Sequence, residues 1–379
     1  MNSNGFVFAL FSCLLIISFL YSTHVSNYIY SKKPNGKIKN SIFEKIDTYL
    51  ESNLNKIEIS REQDLKQWMV DKEKYSKQEK DRIQKVCKKY NVTTRKLVHT
   101  GPLYVDLSHR IAICINAKVG SSTWKLLLTD MLPSNVRVKV TKQLENWTKS
   151  WENNIHKPWD MAIKQYYTIN QTAVSGSITD QVAPYRINNF LRSNQILSFS
   201  FVRHPFERLV SAYNDKIGGG KIKSLVKSIQ EQFKEVSFSS FVDHVLFEYR
   251  KSCYPNYTEA SWLRTNWLNE ICEYKINAHW RPFGMKCSYC DINYDFIGRL
   301  ETWNDDVSYI IRKRGLEKVL PLQKACNLKH HSAKKERDQS TKQMTKAYFF
   351  KLNKKQKEAL YHMYRMDFEL FNYDPNIYL

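Results

Sequence analysis

Two nearly continuous apolar runs, each followed by a helical pattern, dominate the middle of the chain. Arg110–Asn116 and Ile196–Val202 are short apolar runs bounded by polar residues, which is typical of a strand buried on both faces in a parallel sheet. Helical patterns follow at Ser121–Met131 and at Pro205–Ile217, and a proline suits the first turn of a helix. Strand–loop–helix units that alternate in this way predict an α/β fold with a central parallel sheet.

Outside these units the pattern is weaker and more polar. We predict an amphipathic helix at Lys355–Leu370, and a more periodic helix at Arg82–Tyr90 that begins the folded domain. Ser31–Glu79 is rich in Lys and Glu with weakly spaced apolar residues, and we interpret it as a stem of loose helix that holds the domain away from a membrane. Residues 218–236 and 329–346 are basic and are predicted to be loops.

An uncharged apolar segment, Phe6–Tyr21, lies near the N-terminus. It is short for a membrane span of about 20 residues. A cleaved signal peptide is the alternative, although no basic residue precedes the segment and no small-residue cleavage site follows it. Both interpretations predict entry into the secretory pathway. The predicted organisation is a tail at 1–5, a signal-anchor at 6–25, a stem at 26–79 and a lumenal domain at 80–379.

Four N-x-S/T sequons support a lumenal body. They begin at Asn91, Asn146, Asn170 and Asn256, and such a sequon accepts a glycan only in a chain that enters the secretory pathway. Four of them after an apolar segment predict N-glycosylation at these asparagines.

The cysteines agree with an oxidising compartment. Seven lie outside the apolar segment, which allows up to three disulfides and one free thiol. Cys114 lies in the apolar run I-A-I-C-I, so we predict that it is the buried free cysteine. Cys287 and Cys290 form a C-x-x-C, but no second pair with zinc-ligand spacing accompanies it. Structural disulfides are therefore expected there, and no metal.

Charge adds a preference for an anionic partner. The chain has 59 basic and 37 acidic residues, a formal net charge of +22, which suits nucleic acid, anionic lipid, acidic polysaccharide or a phosphorylated cofactor. Its 51 Phe, Tyr and Trp residues exclude a disordered coil, and its 11 glycines exclude collagen.

The first candidate motif is Asn116–Lys125, between the first predicted strand and its helix. A turn with Gly120 allows backbone N–H groups and a helix N-terminus to face an anion, and Lys118 adds a positive charge at the loop. The motif differs from a Walker A loop, because its lysine precedes the only glycine and no Mg²⁺-binding hydroxyl follows. An ordinary strand–helix turn with a capping serine is the alternative.

The second candidate motif is Phe201–Tyr213. Arg203 stands at the end of the predicted strand, where a guanidinium can hold a phosphate with two hydrogen bonds. Ser211 follows about two helical turns later and would complete the site if the ligand lay along the helix. Alternatively, Arg203 and Glu207 simply pair across the first turn.

The order of these motifs, K-V-G-S-S-T-W-K and then F-V-R-H-P-F-E-R-L-V-S-A-Y, resembles the Golgi carbohydrate sulfotransferases. The resemblance is greatest to the branch that holds the chondroitin and dermatan 4-O-sulfotransferases and the HNK-1 sulfotransferase. It extends over roughly Arg82 to Tyr373 and includes Ala278–Pro282, Tyr294–Glu301 and Leu360–Tyr373. One departure is Ala117, where many members have a proline that stiffens the loop.

The resemblance implies a P-loop-like three-layer sandwich that uses 3′-phosphoadenosine-5′-phosphosulfate (PAPS) as sulfuryl donor. Lys118 and the loop residues Val119, Gly120, Ser121, Ser122, Thr123 and Trp124 match the family's site for the 5′-phosphosulfate. Arg203 and Ser211 match the site for the 3′-phosphate. Because a sulfuryl group carries less negative charge than a γ-phosphoryl group, lysine and backbone donors can stabilise the leaving phosphate without a metal.

A general base must also accept the proton of the acceptor hydroxyl. His279 is our candidate, within H-W-R-P beside an aromatic ring that could stack on a sugar, and Arg281 could hold an acceptor carboxylate or sulfate. A purely structural histidine is the alternative. His204, Asp180 and Glu301 remain open as other candidates for the base.

Together these features predict a single-pass type II Golgi membrane enzyme whose lumenal domain sulfates a glycan hydroxyl, with GalNAc O4 of chondroitin or dermatan as the first choice. An HNK-1-type glucuronic acid or a GalNAc-capped N-glycan is the alternative acceptor. A glycosaminoglycan-binding protein without activity would retain the charge but not bind PAPS. A P-loop kinase is disfavoured by the missing Walker A loop, and nucleic-acid binding by the sequons.

Overall fold

The computed structural model describes residues 36–91, 103–138, 141, 184–220, 222–254, 276–327 and 341–379. The predicted anchor at 6–25, the sequons at Asn146, Asn170 and Asn256, and Asp180 lie outside these residues. Within them, no helix is both long enough and apolar enough to cross a membrane. Asn91 is described and exposed, two residues after the first helix ends.

In the described part of the chain, four strands form one mixed sheet in the order β1-β2-β3-β4. They are β1 (Leu103–Asp106), β2 (Ile111–Cys114), β3 (Leu197–Val202) and β4 (Phe296–Arg299). The strands β2, β3 and β4 are parallel, whereas β1 pairs antiparallel with β2. The prediction of a parallel sheet is therefore correct for three strands and wrong for β1. A connection of four residues between β1 and β2 allows only an antiparallel hairpin.

The two predicted strands are buried along their whole length, which accounts for their continuous apolar sequence. Phe199 of β3 pairs with Ile113 on one side and with Phe296 on the other. This central position puts the residues that follow β2 and β3 at the same edge of the sheet, at the carboxyl ends of parallel neighbours, where α/β proteins bind their ligands.

Ten helices are described among the residues given above. They are α1 (Gly36–Lys89), α2 (Ser121–Asp130), α3 (Pro184–Ser193), α4 (Pro205–Tyr213), α5 (Lys223–Phe233), α6 (Phe238–Cys253), α7 (Trp303–Arg314), α8 (Leu322–Asn327), α9 (Thr341–Phe350) and α10 (Lys354–Phe371). A π-helix, Asn214–Gly218, continues α4, and 3-10 turns lie at Phe283–Met285 and Pro375–Ile377.

The predicted helices agree with α2 and α10 to within one residue at each end. The helix predicted at Pro205–Ile217 instead changes to π geometry at Asn214. The stretch 218–236, predicted to be a loop, contains α5; its apolar residues Leu225, Val226, Ile229 and Phe233 have helical spacing that its lysines and serines obscure.

The chain divides into two compact units, Met1–Val70 and Asp71–Leu379. In the second unit, the last part of α1 belongs to the folded body: Ile83 and Val86 are buried, and Lys72 Nζ lies 2.6 Å from Asp306 Oδ1. The buried Glu79 carboxylate accepts hydrogen bonds from Arg299 at the end of β4. Polar contacts thus hold this segment of α1 against β4 and α7.

Disulfides join Cys87 to Cys290 and Cys114 to Cys287. The prediction that Cys114 is the free cysteine is wrong, and among the described residues the free one is Cys326. Full burial is equally compatible with a thiol and a cystine, so the apolar setting of Cys114 could not distinguish them. Structural disulfides at the C-x-x-C are confirmed, with each cysteine bonded to a different element.

Candidate active site

The loops after β2 and β3 meet at the carboxyl edge of the sheet. Arg203, directly after β3, donates from Nη1 to the carbonyl oxygen of Lys118, which follows β2, at 3.5 Å. The two motifs that lie about 80 residues apart in the sequence are therefore in contact. This edge of the sheet is our candidate active site.

The backbone of the first loop prepares a helix N-terminus for an anion. Lys118 and Gly120 have positive φ values of 67° and 80°, and Gly120 caps α2 without a side chain to bind its first amides. The first α-helical hydrogen bond runs from Trp124 N to Gly120 O at 3.0 Å. The amides of Ser121, Ser122 and Thr123 precede that bond, at the positive end of the helix dipole.

Gly120 is required by sterics as well as by its φ angle. A Cβ at this position would lie 2.6 Å from Cζ3 of Trp303. Trp124 lies beneath the loop, 2% exposed, with its ring centroid 5.0 Å from that of Phe199. Val119 is equally buried. The side chains of Val119 and Trp124 therefore support the loop from the core side.

Lys118 belongs to a small charged cluster with Asp215 and Lys216. Its Nζ lies 3.0 Å from Asp215 Oδ2, and Lys216 Nζ lies 3.2 Å from the same oxygen. Burial lowers the pKa of Lys118, and the Asp215 carboxylate opposes that shift. Sequence reasoning missed Asp215 and Lys216, because it continued a regular helix to Ile217. The π-helix that carries them is a local widening often found at functional sites.

Arg203 also contacts the first turn of α4. Its Nε lies 3.7 Å from Glu207 Oε2, and Glu207 Oε1 accepts a hydrogen bond from Tyr378 at 2.6 Å. Burial lowers the pKa of Arg203, while the charges of Glu207 and Glu301 oppose the shift. The Arg203–Glu207 pair considered as an alternative thus exists, together with the contact to the Lys118 loop. Ser211 lies on the same helix and is half-buried.

His279 has a defined tautomer. The Oδ1 atom of Asn277 lies 3.0 Å from His279 N and 2.7 Å from its Nδ1. Because the backbone amide can only donate, this Asn277 atom is an acceptor, so Nδ1 carries the proton and Nε2 the lone pair. Burial, together with the positive charges of Lys216, Lys118 and Arg208, lowers the pKa of His279 to about 3. The imidazole of His279 is therefore neutral and close enough to Lys118 to feel its charge. We call the loop that carries Lys118, between β2 and α2, the donor loop.

The other described base candidates are engaged in structural hydrogen bonds. His204 accepts from Phe206 N at Nδ1, and its Nε2 lies 3.1 Å from the Asp374 carbonyl. Burial lowers the pKa of His204. Glu301 accepts from the His204 amide and from the Tyr373 hydroxyl. These contacts hold α4 and the C-terminal segment in place.

A residue that sequence reasoning overlooked, Arg208, connects the loops. Its buried guanidinium donates to the carbonyls of Ala117, Arg281 and Ala278 at 3.1, 2.7 and 3.0 Å, and it lies 4.3 Å from the centroid of the Phe283 ring. The sequence signal that could have indicated Arg208 is its place in the second motif, five residues after Arg203. Arg281, predicted to hold an acceptor anion, instead donates from Nε and Nη2 to the carbonyl oxygen of Ile276, five residues earlier.

No group of three or more His, Cys, Asp or Glu that could hold a metal occurs in the described part of the chain. The arrangement at the sheet edge instead joins a helix N-terminus, buried cations and a neutral histidine. Such a set can bind an anionic group and accept a proton.

Comparison with known proteins identifies the class. The model of the sulfotransferase family matches residues 101–374, and the chain therefore belongs to that family. It is 27% identical over 316 residues to carbohydrate sulfotransferase 11 of Danio rerio, covering 79% of this chain and 76% of that one. It is also 27% identical over 313 residues to carbohydrate sulfotransferase 9 of Homo sapiens, covering 78% of this chain and 60% of that one.

Carbohydrate sulfotransferase 10 of Xenopus laevis is 26% identical over 326 residues, covering 80% of this chain and 77% of that one. No solved structure matches the chain significantly. The resemblance to carbohydrate sulfotransferases is confirmed, and with it an enzyme that transfers sulfate groups to a carbohydrate.

Proposed function

We propose that this protein transfers the sulfuryl group of PAPS to O4 of GalNAc in chondroitin or dermatan, within the Golgi lumen. The observation that carries the donor site is the contact between the Lys118 loop and Arg203 at the carboxyl edge of the sheet. The net charge of +22 supports a polyanionic acceptor. The motif resemblance to the 4-O-sulfotransferase branch supports the sugar and its position.

The residues present suit an anionic donor. Arg203 is buried and Lys118 mostly buried, and burial lowers the pKa of both cations, so a bound anion would offset part of the cost of burying them. Lys118, with the amides of Ser121, Ser122 and Thr123, would bind the 5′-phosphosulfate. Arg203 and Ser211 would bind the 3′-phosphate, in keeping with their positions after β3 and along α4.

The donor supplies the sulfuryl group, whose S–O bond to the phosphate breaks as the acceptor oxygen forms its own bond to sulfur. His279 Nε2 would accept the hydroxyl proton, and Asn277 holds the ring with Nδ1 protonated. Lys118 would stabilise the charge that develops on the leaving phosphate. Lys216 shares Asp215 with Lys118 and would supply a second positive charge at the same place.

Two disulfides support a lumenal location. Cys87–Cys290 and Cys114–Cys287 are bonds that persist in oxidising compartments. Together with the sequon that begins at the exposed Asn91 and the predicted signal-anchor at 6–25, they support a type II membrane protein with the domain from about residue 80 onward in the Golgi lumen.

The donor site is tested by thermal unfolding of the purified full-length protein with adenosine 3′,5′-bisphosphate. At about 100 times its Kd, a ligand should stabilise the fold by roughly 2.7 kcal/mol. We expect a clear rise in Tm with the bisphosphate and none with ATP and Mg²⁺. Equal Tm values with and without bisphosphate, in a protein that melts cooperatively, would contradict the donor site.

We expect His279→Gln to lower kcat by about 10²–10⁴-fold while the bisphosphate still raises Tm. Because the pKa of His279 is about 3, the base of the free enzyme stays unprotonated from pH 7 to 5. As the pH falls over that range, kcat/KM should therefore lack the decrease that a histidine with an ordinary pKa would cause.

The half-exposed His109, which is bonded to Asp106, offers the control variant His109→Gln, which should retain activity. An unchanged kcat in His279→Gln, or a wild-type kcat/KM that falls through pH 6.5, would reject His279 as the base.

A further inference from the structure

A recess lies at the opposite edge of the sheet from the candidate active site. It encloses about 640 Å³ and is lined by Leu197 and Ser198 at the start of β3 and by Asp295 just before β4. The loops that carry Lys118 and Arg203 follow the carboxyl ends of β2 and β3, whereas this recess lies at the amino ends of the strands. We call it the amino-edge groove; α1, α3 and α7 contribute its other walls.

The amino-edge groove has an excess of positive charge. Its lining contains five cations and two carboxylates. Each carboxylate is paired: Asp295 Oδ1 lies 3.3 Å from Lys80 Nζ, and Glu73 contacts Lys313. The remaining cations of the lining make no ion pair with a carboxylate among the described residues, although the charge of Asp295 acts on Arg314; they are Lys77, Arg192 and Arg314.

Arg314 indicates the kind of ligand that the groove suits. Its Nε is buried and has no hydrogen-bond partner among the described residues, while its Nη2 donates to the Gln195 carbonyl. Arg110 donates to the side chain of the same Gln195 at 3.3 Å, which places two guanidinium groups around one residue. A bound anion would satisfy the Nε donor and neutralise this like-charge pair.

Neutral polar groups complete the lining. The side chains of Asn188, Gln195, Asn293, Ser198 and Tyr309 line the recess. The amide of Asn188 is already bonded to the backbone of Asp291 and Asn293, and the Ser198 hydroxyl to Asp295. The amides of Gln195 and Asn293 are therefore the groups that can hydrogen-bond sugar hydroxyls. The volume falls within the range of about 300–1,000 Å³ that is usual for small-ligand sites. Cations combined with amides suit a carboxylated or sulfated sugar.

We propose that the amino-edge groove binds an anionic segment of a glycan chain, away from the residue being sulfated. This rests on the proposed function only in taking the glycan to be the acceptor. A second contact on the same chain raises the effective concentration of acceptor at the catalytic edge. Long acceptors should therefore have a lower KM than short ones.

The test compares Lys77→Ala/Arg192→Ala with the control Lys346→Ala/Lys355→Ala in the full-length protein. All four side chains are exposed, so both variants should fold, and each removes two positive charges. Titration with desulfated chondroitin polymer, without donor, should show a Kd raised about fivefold to tenfold in the groove variant only. The KM for the polymer should rise similarly, with kcat and the KM for a disaccharide acceptor unchanged.

Equal Kd values in the two variants would show that only the overall charge affects polymer binding, and would overturn the proposal that the amino-edge groove binds the glycan. An equal rise in KM for polymer and disaccharide would also overturn it, because the groove would then not be separate from the catalytic edge. Polymer binding at the groove without stabilisation by the bisphosphate would instead refute the proposed function and leave the groove standing.

Discussion

Replacement of Lys118 by alanine is expected to abolish sulfate transfer, with a loss of at least about 10²–10³-fold in kcat, as for other groups that stabilise a developing anion. Lys118 makes its charged contact with Asp215, and Asp215 keeps a second partner in Lys216 when the lysine is removed. The folded structure should therefore persist. Transfer of labelled sulfate from PAPS to desulfated chondroitin is the measurement.

The same variant separates an enzyme from a glycan-binding protein. Retention on a heparin column depends on the many surface cations, and it should change little when one mostly buried lysine is removed. Lys346→Ala, on the exposed face of α9, is the matched control and should retain activity. Turnover that survives Lys118→Ala while heparin retention is lost would refute the assignment of the donor loop.

Arg203→Ala should also abolish transfer, but it is the less clean variant. Removal of the Arg203 guanidinium leaves the buried Glu207 with only the Tyr378 hydroxyl as a described partner. A buried carboxylate without a compensating charge lowers stability. For this reason the Lys118 variant gives the sharper result.

The parts of the fold that sequence reasoning predicted are those where local pattern and burial agree. Strands β2 and β3 are buried throughout, so their apolar runs are unbroken, and α2 and α10 have clear signals at their ends. The strand β1 was missed because its four residues, L-Y-V-D, lack the unbroken apolar run that marks β2, which is equally short. Its pairing depends on the short connection to β2.

Two parts of the candidate active site were predicted from the sequence: the motif Asn116–Lys125 after β2, and Arg203 at the end of β3. The sequence does not show that a helix will widen at Asn214, and that widening places Asp215 and Lys216 beside Lys118. Likewise, the bond of Cys114 to Cys287 spans 173 residues, and nothing local to Cys114 distinguishes it from a buried thiol. In both cases tertiary contacts determine the outcome.

Arg208→Met is expected to have the largest effect on stability. The buried guanidinium binds three carbonyls, from the donor loop and from the segment that carries His279. Methionine has a similar shape but no donor, so all three acceptors would lose their partner at about 1–3 kcal/mol each. Chemical denaturation should show a loss of about 3–5 kcal/mol in the free energy of unfolding, against little change for Arg365→Met on the exposed face of α10.

Arg208→Lys distinguishes positioning from simple stability. A lysine retains the buried charge but cannot bond three carbonyls in the directions that a planar guanidinium satisfies. Where the variant folds, Lys118 and the α2 amides should still bind the bisphosphate, while kcat falls because the His279 segment is no longer held to the donor loop. Wild-type kcat in folded Arg208→Lys would show that the loops keep their positions without this arginine. A matched loss of bisphosphate binding and kcat would place its effect on the donor loop alone.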